Sequence, residues 1–295
     1  AKLADGALGE RIEVRGHDEL ATLAASFNEM AASMQSHIEQ LQALSKLQRR
    51  FVSDVSHELR TPLATIRMAG DMIYAAREGF PPEVARSAEL LATQLDRFDA
   101  LLADLLEISR FDAGAAQLET EAVDLRAVVG WELDAVVPLA REHGVEVINQ
   151  TASSPALAEV DTRRISRIVR NLVVNAIEHA EGSPVWVRLA QSPQAVAITV
   201  EDRGVGLQPD QLERVFDRFW RADQARSRTT GGTGLGLAIA LEDAGLHGGT
   251  LEVWSAPGEG AVFRLMVPKR AGEPIGPPPL ALQPTTNSAE AEVSA

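Results

Sequence analysis

The stretch Phe51-Val-Ser-Asp-Val-Ser-His57-Glu58-Leu-Arg60-Thr61-Pro62-Leu holds the first residues whose types and spacing can do chemistry. Val55 and Leu59 belong to an apolar helical stripe, and at about 100° per residue His57 points away from it, towards water. Thr61 follows one turn later, roughly 40° round from His57, so the two side chains line up on one face. Glu58 is adjacent and can reach the imidazole. A carboxylate holding one ring nitrogen fixes the tautomer and leaves the other nitrogen more nucleophilic. Pro62 removes one backbone hydrogen bond and is expected to bend the helix there. An ordinary surface histidine is the plainer alternative. His-Glu also opens the zinc motif His-Glu-x-x-His, but Thr61 stands where the second ligand belongs.

Four further pieces carry a different chemistry. In Asn171-Leu-Val-Val-Asn175-Ala two amides lie four apart on one helix face, while Leu172, Val173 and Ile177 supply the buried side. An Asn carbonyl with phosphate oxygens is an adequate shell for Mg²⁺, which keeps most of its waters; polar decoration of an amphipathic helix is the alternative. Asp202-Arg-Gly204-Val-Gly206-Leu follows the β-rich run Val196–Val200. It sets a carboxylate able to accept from an adenine amino group beside two residues that let backbone approach a ligand, although a turn without a ligand would look the same. Phe216-Asp-Arg218-Phe219-Trp220 puts aromatics beside Arg218 and Arg221, ahead of a polar stretch to Thr230 expected to form a flap. Finally Gly231-Gly232-Thr233-Gly234-Leu235-Gly236 enters a helix whose free N–H groups and dipole suit phosphate. Its third glycine comes one residue too soon for the dinucleotide pattern, and no Gly-x-x-x-x-Gly-Lys-Ser/Thr loop occurs.

These residues need two kinds of scaffold. Leu20, Leu23, Phe27, Met30 and Met34 recur at spacings of three and four, and the stripe runs on through Leu41, Leu47, Val55 and Leu59 to Ile73. That predicts one long helix, or two in register, starting near Asp18. Glu78-Gly79-Phe80-Pro81-Pro82 predicts a turn. Val84, Ala88, Leu91, Leu95, Phe98, Leu102 and Leu105 then form an uninterrupted heptad seam. A helical hairpin that dimerises into a four-helix bundle buries such a seam best. From about Glu119 the texture is mixed. Helical patterns at Leu125–Glu142 and Asp161–His179 alternate with β-rich runs at Val185–Leu189, Ala195–Val200, Thr250–Trp254 and Ala261–Val267, the last two joined by Pro257-Gly258-Glu259-Gly260. An α+β sandwich is the natural packing. Beyond Arg270 five prolines and no Lys or Arg predict a disordered tail.

Composition narrows the classes. The 295 residues suggest roughly two domains. Zero cysteines exclude a disulfide scaffold and thiolate chemistry. A net charge of −14 argues against nucleic acid as a partner. No apolar run approaches the roughly 18 residues that span a bilayer, and the chain begins at Ala1 rather than Met, as a piece of a longer protein would.

The block around His57 resembles the phosphoacceptor helix of sensor histidine kinases. In order and spacing, the four later pieces resemble the nucleotide-binding boxes of the GHKL ATPase fold, shared by gyrase, heat-shock chaperones and histidine kinases. Together they make residues 47–270 similar to an orthodox sensor histidine kinase. Gly16-His-Asp18-Glu19-Leu and Phe27-Asn28-Glu-Met30 resemble the second half of a HAMP signalling linker. The resemblance implies a partial HAMP at 1–46, a dimerisation and phosphotransfer hairpin at 47–115, an ATP-binding domain at 119–270 and a tail at 271–295. It implies His57 as phosphoacceptor, Glu58 as its orienting group or base, and Thr61 in phosphatase activity. Mg²⁺ falls to Asn175 or Asn171, adenine to Asp202, and the rest of ATP to Gly204, Gly206, Arg218, Gly232, Thr233, Gly234, Leu235 and Gly236. His179 is left between a phosphate contact and a structural role. The implied partners are a second copy of the chain and a response-regulator receiver domain. Membrane contact would come only through absent N-terminal transmembrane segments, with this portion cytoplasmic. A GHKL ATPase doing conformational work leaves the heptads and His57 without a purpose. The intact Asn175, Asp202 and glycine boxes argue against a dimeric scaffold with a degenerate pocket.

Overall fold

The computed structural model describes residues 19–114, 116–152, 154–222 and 233–284. The chain divides into two compact units, Ala1–Glu89 with Ser109–Ala115, and Leu90–Ile108 with Ala116–Ala295.

The first unit is helical. Helix α1 runs unbroken from Glu19 to Ala75, with Pro62 inside it. Asp18, near which the helix is expected to start, lies outside the described residues. A short 3₁₀ turn, Arg77–Gly79, ends at an extended Phe80, and Pro81 caps α2, Pro82–Asp112. Pro82 suits the first helical position because its fixed φ is already helical and the first turn has no use for its missing N–H. Arg77 fastens the turn, stacking 4.0 Å over the Tyr74 ring and pairing with Glu89 at 3.9 Å. Ala88 is buried, yet Val84 stays exposed, as do Leu47, Ile66 and Met72 of α1. A helix face this apolar calls for a covering surface.

The second unit is the expected α+β sandwich. Strands β1 (Glu121–Asp124) and β3 (Leu157–Val160) pair as an antiparallel ribbon. Five strands make the main sheet in the order β2-β4-β5-β7-β6: Val147–Thr151, Val185–Gln191, Ala195–Asp202, Gly260–Pro268 and Thr250–Ala256. β2 runs parallel to β4 and the other pairs are antiparallel. Helices α3 (Leu125–Glu142), α4 (Thr162–His179) and α6 (Gly236–Leu246) share one core with the sheet, built on Val128, Ile168, Leu172, Ile198, Phe263 and Leu265. A single turn of helix, α5, spans Pro209–Leu212.

Two expectations are corrected. The sequence pattern missed β1, β2 and β3, which are short and lie at edges; Asn149 and Gln150 of β2 point to solvent and break any apolar run. Disorder from Arg270 onwards does not hold for residues 271–284. Ile275 and Leu280 pack on Ala195, Ala197 and Met266, on the sheet face away from the helices. Arg264, which is buried, donates from Nη1 to the Leu280 carbonyl at 2.7 Å. The rest of the tail, 285–295, lies outside the described residues.

Candidate functional site

Helix α4 is set by its first residue and its apolar side. Asp161 caps it, accepting from the backbone N–H of Arg163 and Arg164 at 3.1 and 3.3 Å; a carboxylate there also complements the helix dipole. Ile165, Ile168, Val169, Leu172, Val173, Ala176 and Ile177 are buried, and that stripe leaves Asn171 and Asn175 at its margin, half-buried. The two amides differ. Asn171 donates from Nδ2 to the Gly236 carbonyl at 2.8 Å, tying α4 to the first residue of α6. The Asn175 side chain has no hydrogen-bond partner among the described residues, which leaves its amide oxygen available.

Asp202 ends β5 with its carboxylate buried. Oδ1 accepts from the Gly204 N–H at 3.0 Å, and the Ala261 N–H on β7 helps. Burial nevertheless pushes its pKa up to about 6, against these two hydrogen bonds and aided by the charge of Glu201. The glycines that follow serve a need other than ligand approach. A Cβ on Gly204 would sit 1.8 Å from the His179 carbonyl oxygen, and one on Gly206, at φ +64, would sit 1.9 Å from that of Ala256. Protein backbone, not a ligand, occupies the space that these glycines leave. Gly260, which sequence reasoning took only as part of a hairpin turn, closes the same corner: its missing Cβ would fall 2.1 Å from the Asp202 carbonyl oxygen. The Gly-Glu-Gly turn was the signal for it.

The glycine-rich segment enters α6 with its last residues in place. Gly234, at φ +71, accepts at its carbonyl from the Phe219 N–H at 2.9 Å. Phe219 itself has φ +62, uncommon for a residue with a Cβ. The Thr233 hydroxyl accepts from the Leu235 N–H at 3.2 Å, and Leu235 is fully buried. Helix α6 has no side-chain cap of its own at Leu235, so N–H groups of its first turn remain for an anion. Arg214, Arg218, Phe219, Trp220 and Arg221 line an open cavity of 690 Å³. Arg218 faces Glu242 of α6 at 3.6 Å.

Of the residues singled out by sequence, Asn171, Asn175, Asp202, Gly204, Gly206, Thr233, Gly234, Leu235 and Gly236 all lie in the second unit, around α4, the end of β5 and the start of α6. His179 is exposed at the end of α4, where its carbonyl packs on Gly204. Glu58 and Thr61 are exposed on α1, in the first unit. His57 lies within α1, but its side chain is outside the described residues, as are Gly232 and the expected flap to Thr230.

Comparison with known proteins agrees with this architecture. Residues 47–114 match the family profile of the His Kinase A (phospho-acceptor) domain. Residues 160–271 match that of the histidine kinase-, DNA gyrase B-, and HSP90-like ATPase, and residues 1–36 that of the HAMP domain. The sensor histidine kinase MtrB of Mycobacterium tuberculosis is 54% identical over 283 residues, covering 96% of this chain and 50% of its own length. The signal transduction histidine-protein kinase AfsQ2 of Streptomyces coelicolor is 38% identical over 283 residues, covering 92% and 51%. The chain thus spans about half the length of the curated relatives it matches. The crystal structure of full-length ShkA in complex with AMPPNP superposes with a TM-score of 0.65 at 27% identity, over 77% of this chain and 47% of that one. With a phosphoacceptor profile on α1 and α2, an ATPase profile from β3 to β7 and a HAMP profile before them, the chain belongs to the sensor histidine kinases.

Proposed function

We propose that this chain is the catalytic half of a two-component sensor kinase, which moves the γ-phosphoryl group of ATP to His57 and then to an aspartate of a response-regulator receiver domain. The observation that carries the reading is the Asp202 carboxylate, kept buried at a strand end with only backbone N–H partners among the described residues while burial raises its pKa to about 6. A group held against its own desolvation in this way marks a binding site. It accepts from the amino group of adenine. The N–H groups at the start of α6 receive phosphate oxygens, and the Asn175 amide oxygen, free of other partners, fits Mg²⁺ better than that of Asn171, whose amide already holds α6. Bound Mg–ATP supplies the transferable phosphoryl group with part of its charge offset.

In the transfer a ring nitrogen of His57 attacks the γ-phosphorus, the bond to the β,γ-bridging oxygen breaks, ADP leaves, and Glu58 takes the imidazole proton. The receiver's aspartate next takes the phosphoryl group from the phosphohistidine. Thr61, exposed one turn beyond His57, orients water against the aspartyl phosphate in a separate phosphatase step, in which the aspartyl O–P bond breaks and inorganic phosphate leaves. The exposed seam of Val84, Leu91, Phe98 and Leu105 is covered by a second copy of the chain, giving a four-helix bundle. No helix among the described residues is long and apolar enough to cross a membrane. The HAMP match and the sensor-kinase relatives support a full-length protein anchored by transmembrane segments outside this sequence, with this portion on the cytoplasmic side.

Incubation with γ-labelled ATP tests the reading. Acid-labile, base-stable label is expected on the parent and none on His57→Gln, with ATP binding retained by both. Label on His57→Gln would place the acceptor elsewhere, and acid-stable label would overturn histidine chemistry altogether.

A further inference from the structure

Helix α2 holds α6 through two carboxylates one turn apart. Residues 90–108 of α2 belong to the same compact unit as the ATPase fold. Asp104 Oδ2 accepts from the Thr233 hydroxyl at 2.9 Å, and that hydroxyl in turn accepts from the Leu235 N–H at 3.2 Å. Three residues on, Glu107 Oε1 accepts from Arg164 Nη1 at 2.8 Å and from Arg167 Nη2 at 3.3 Å. The same two guanidinium groups hold Asp243 of α6, Arg164 through Nη1 at 2.8 Å and Arg167 through Nε at 2.8 Å. Asp243 is fully buried. Thus α6 is gripped ahead of its first turn through Thr233 and near its other end through the arginines of α4.

The grip at Thr233 has a consequence for anions. A helix N-terminus attracts phosphate through uncommitted N–H groups. Here the Leu235 N–H is committed to Thr233, and the carboxylate that fixes the Thr233 hydroxyl is half-buried beside it. Burial raises the Asp104 pKa, against the lowering effects of the Thr233 hydrogen bond and of Arg167, so its surroundings screen charge less than water does. A polyphosphate arriving at this turn meets a negative charge and an N–H already taken.

We propose that Asp104 and Glu107 form a latch by which the last turns of α2 hold the phosphate loop in a low-affinity arrangement, so that release of α2 and binding of Mg–ATP favour one another. The inference rests on the start of α6 being the phosphate site, as in the function proposed above. Linkage makes the coupling reciprocal: whatever loosens α2 tightens ATP, and ATP loosens α2 by the same factor. The two anchors divide the work. Glu107 shares the Arg164 and Arg167 guanidinium groups with Asp243 and Asp161 and fixes the position of α2, whereas Asp104 acts on the loop itself.

Calorimetry of Mg–ATP binding to the full chain tests the latch with Asp104→Asn, Asp104→Ala, Glu107→Gln and the double variant Asp104→Ala/Glu107→Gln. Asp104→Ala and Glu107→Gln should each tighten binding about three- to tenfold, and the double variant little further, because two parts of one latch are released together. Asp104→Asn, which keeps an acceptor for the Thr233 hydroxyl, should give a smaller gain than Asp104→Ala. Unchanged or weaker binding in the single variants overturns the proposal. Additive gains that vanish in 0.5 M salt also overturn it, since they would report long-range charge alone. Absence of ATP binding in the parent would instead remove the nucleotide reading on which the latch rests. Tryptophan fluorescence melts, run alongside, exclude variants that have lost the fold.

Discussion

Replacing Asp202 by Asn should stabilise the fold while it weakens nucleotide binding. The carboxyl titrates near 3.8 in an unfolded chain and at about 6 in the folded one, mainly because burial disfavours its charge. A folded-state pKa above the unfolded value means that ionisation opposes folding. The cost is absent below about pH 4, grows between about 4 and 6, and is complete above. A shift of about two units at about 1.4 kcal/mol each makes that cost about 3 kcal/mol at neutral pH. Asparagine keeps an oxygen to accept from the Gly204 N–H, but its NH₂ cannot accept from Ala261, which returns about 1 kcal/mol. A net gain of about 1–2 kcal/mol at pH 7.5 is expected, falling to nothing or reversing near pH 4. All four tryptophans, Trp131, Trp186, Trp220 and Trp254, lie in the ATPase unit, so urea unfolding followed by their fluorescence reads that unit. The same variant should lose at least tenfold in ATP affinity. A variant less stable than the parent at pH 7.5, or a difference that stays constant from pH 4 to 7.5, would refute the reasoning.

Asn175→Ala should abolish the Mg²⁺ dependence of ATP binding with little change in stability, while Asn171→Ala, which cuts the bond to Gly236, should lower stability by about 1 kcal/mol; equal effects on both measurements would deny the amides separate roles. Gly204→Ala should cost about 3 kcal/mol or prevent folding, because its Cβ would lie 1.8 Å from a backbone oxygen, whereas Gly245→Ala, with open space around it in α6, should gain up to about 1 kcal/mol in the same unfolding assay. Thr61→Ala should slow loss of phosphate from the regulator and leave autophosphorylation near the parental rate; equal slowing of both would reduce Thr61 to a stiffener of the helix before Pro62.

What the sequence revealed depended on how local the cause was. The apolar stripe of α4 repeats every three or four residues, and its N-cap Asp161 directly precedes it, so the helix was legible almost to the residue. β5 was legible because its run of small and branched residues is buried on both faces. Strand β2 was not, since an edge strand keeps polar side chains and its partner β4 is distant in sequence. The tail misled for a similar reason. Proline content argues for disorder, but Ile275 and Leu280 find a sheet face that only tertiary structure assembles. At the candidate site, the sequence pointed to residues whose structural reasons it did not contain. Gly204 and Gly206 stood out as places that admit close backbone, yet the backbone they admit belongs to His179 and Ala256. The bond from Asn171 to Gly236 spans 65 residues, beyond the reach of any spacing rule.

Two aspartates differ in whether the chain itself answers their charge. Asp124 precedes α3, accepts from the Arg126 N–H, and has the Arg126 guanidinium against its carboxylate; that hydrogen bond brings its pKa down to about 2. Its charge is matched, so ionisation supports the folded state, and that support is present above about pH 4 and lost as pH falls towards 2. Asp202 ends a strand of the same domain and has no cation paired with it among the described residues; its pKa is raised, and its ionisation opposes folding. The difference lies in what each carboxylate faces. One is satisfied within the chain and serves as a cap, whereas the other is satisfied by two backbone N–H groups and left with acceptor capacity. The exposed Phe219 at φ +62 and the uncapped start of α6 share that character. All three are local departures from what α4 and its neighbours do, held in place by a well-packed core. In the function proposed above, these are the places where a ligand, rather than the chain itself, would complete the interaction.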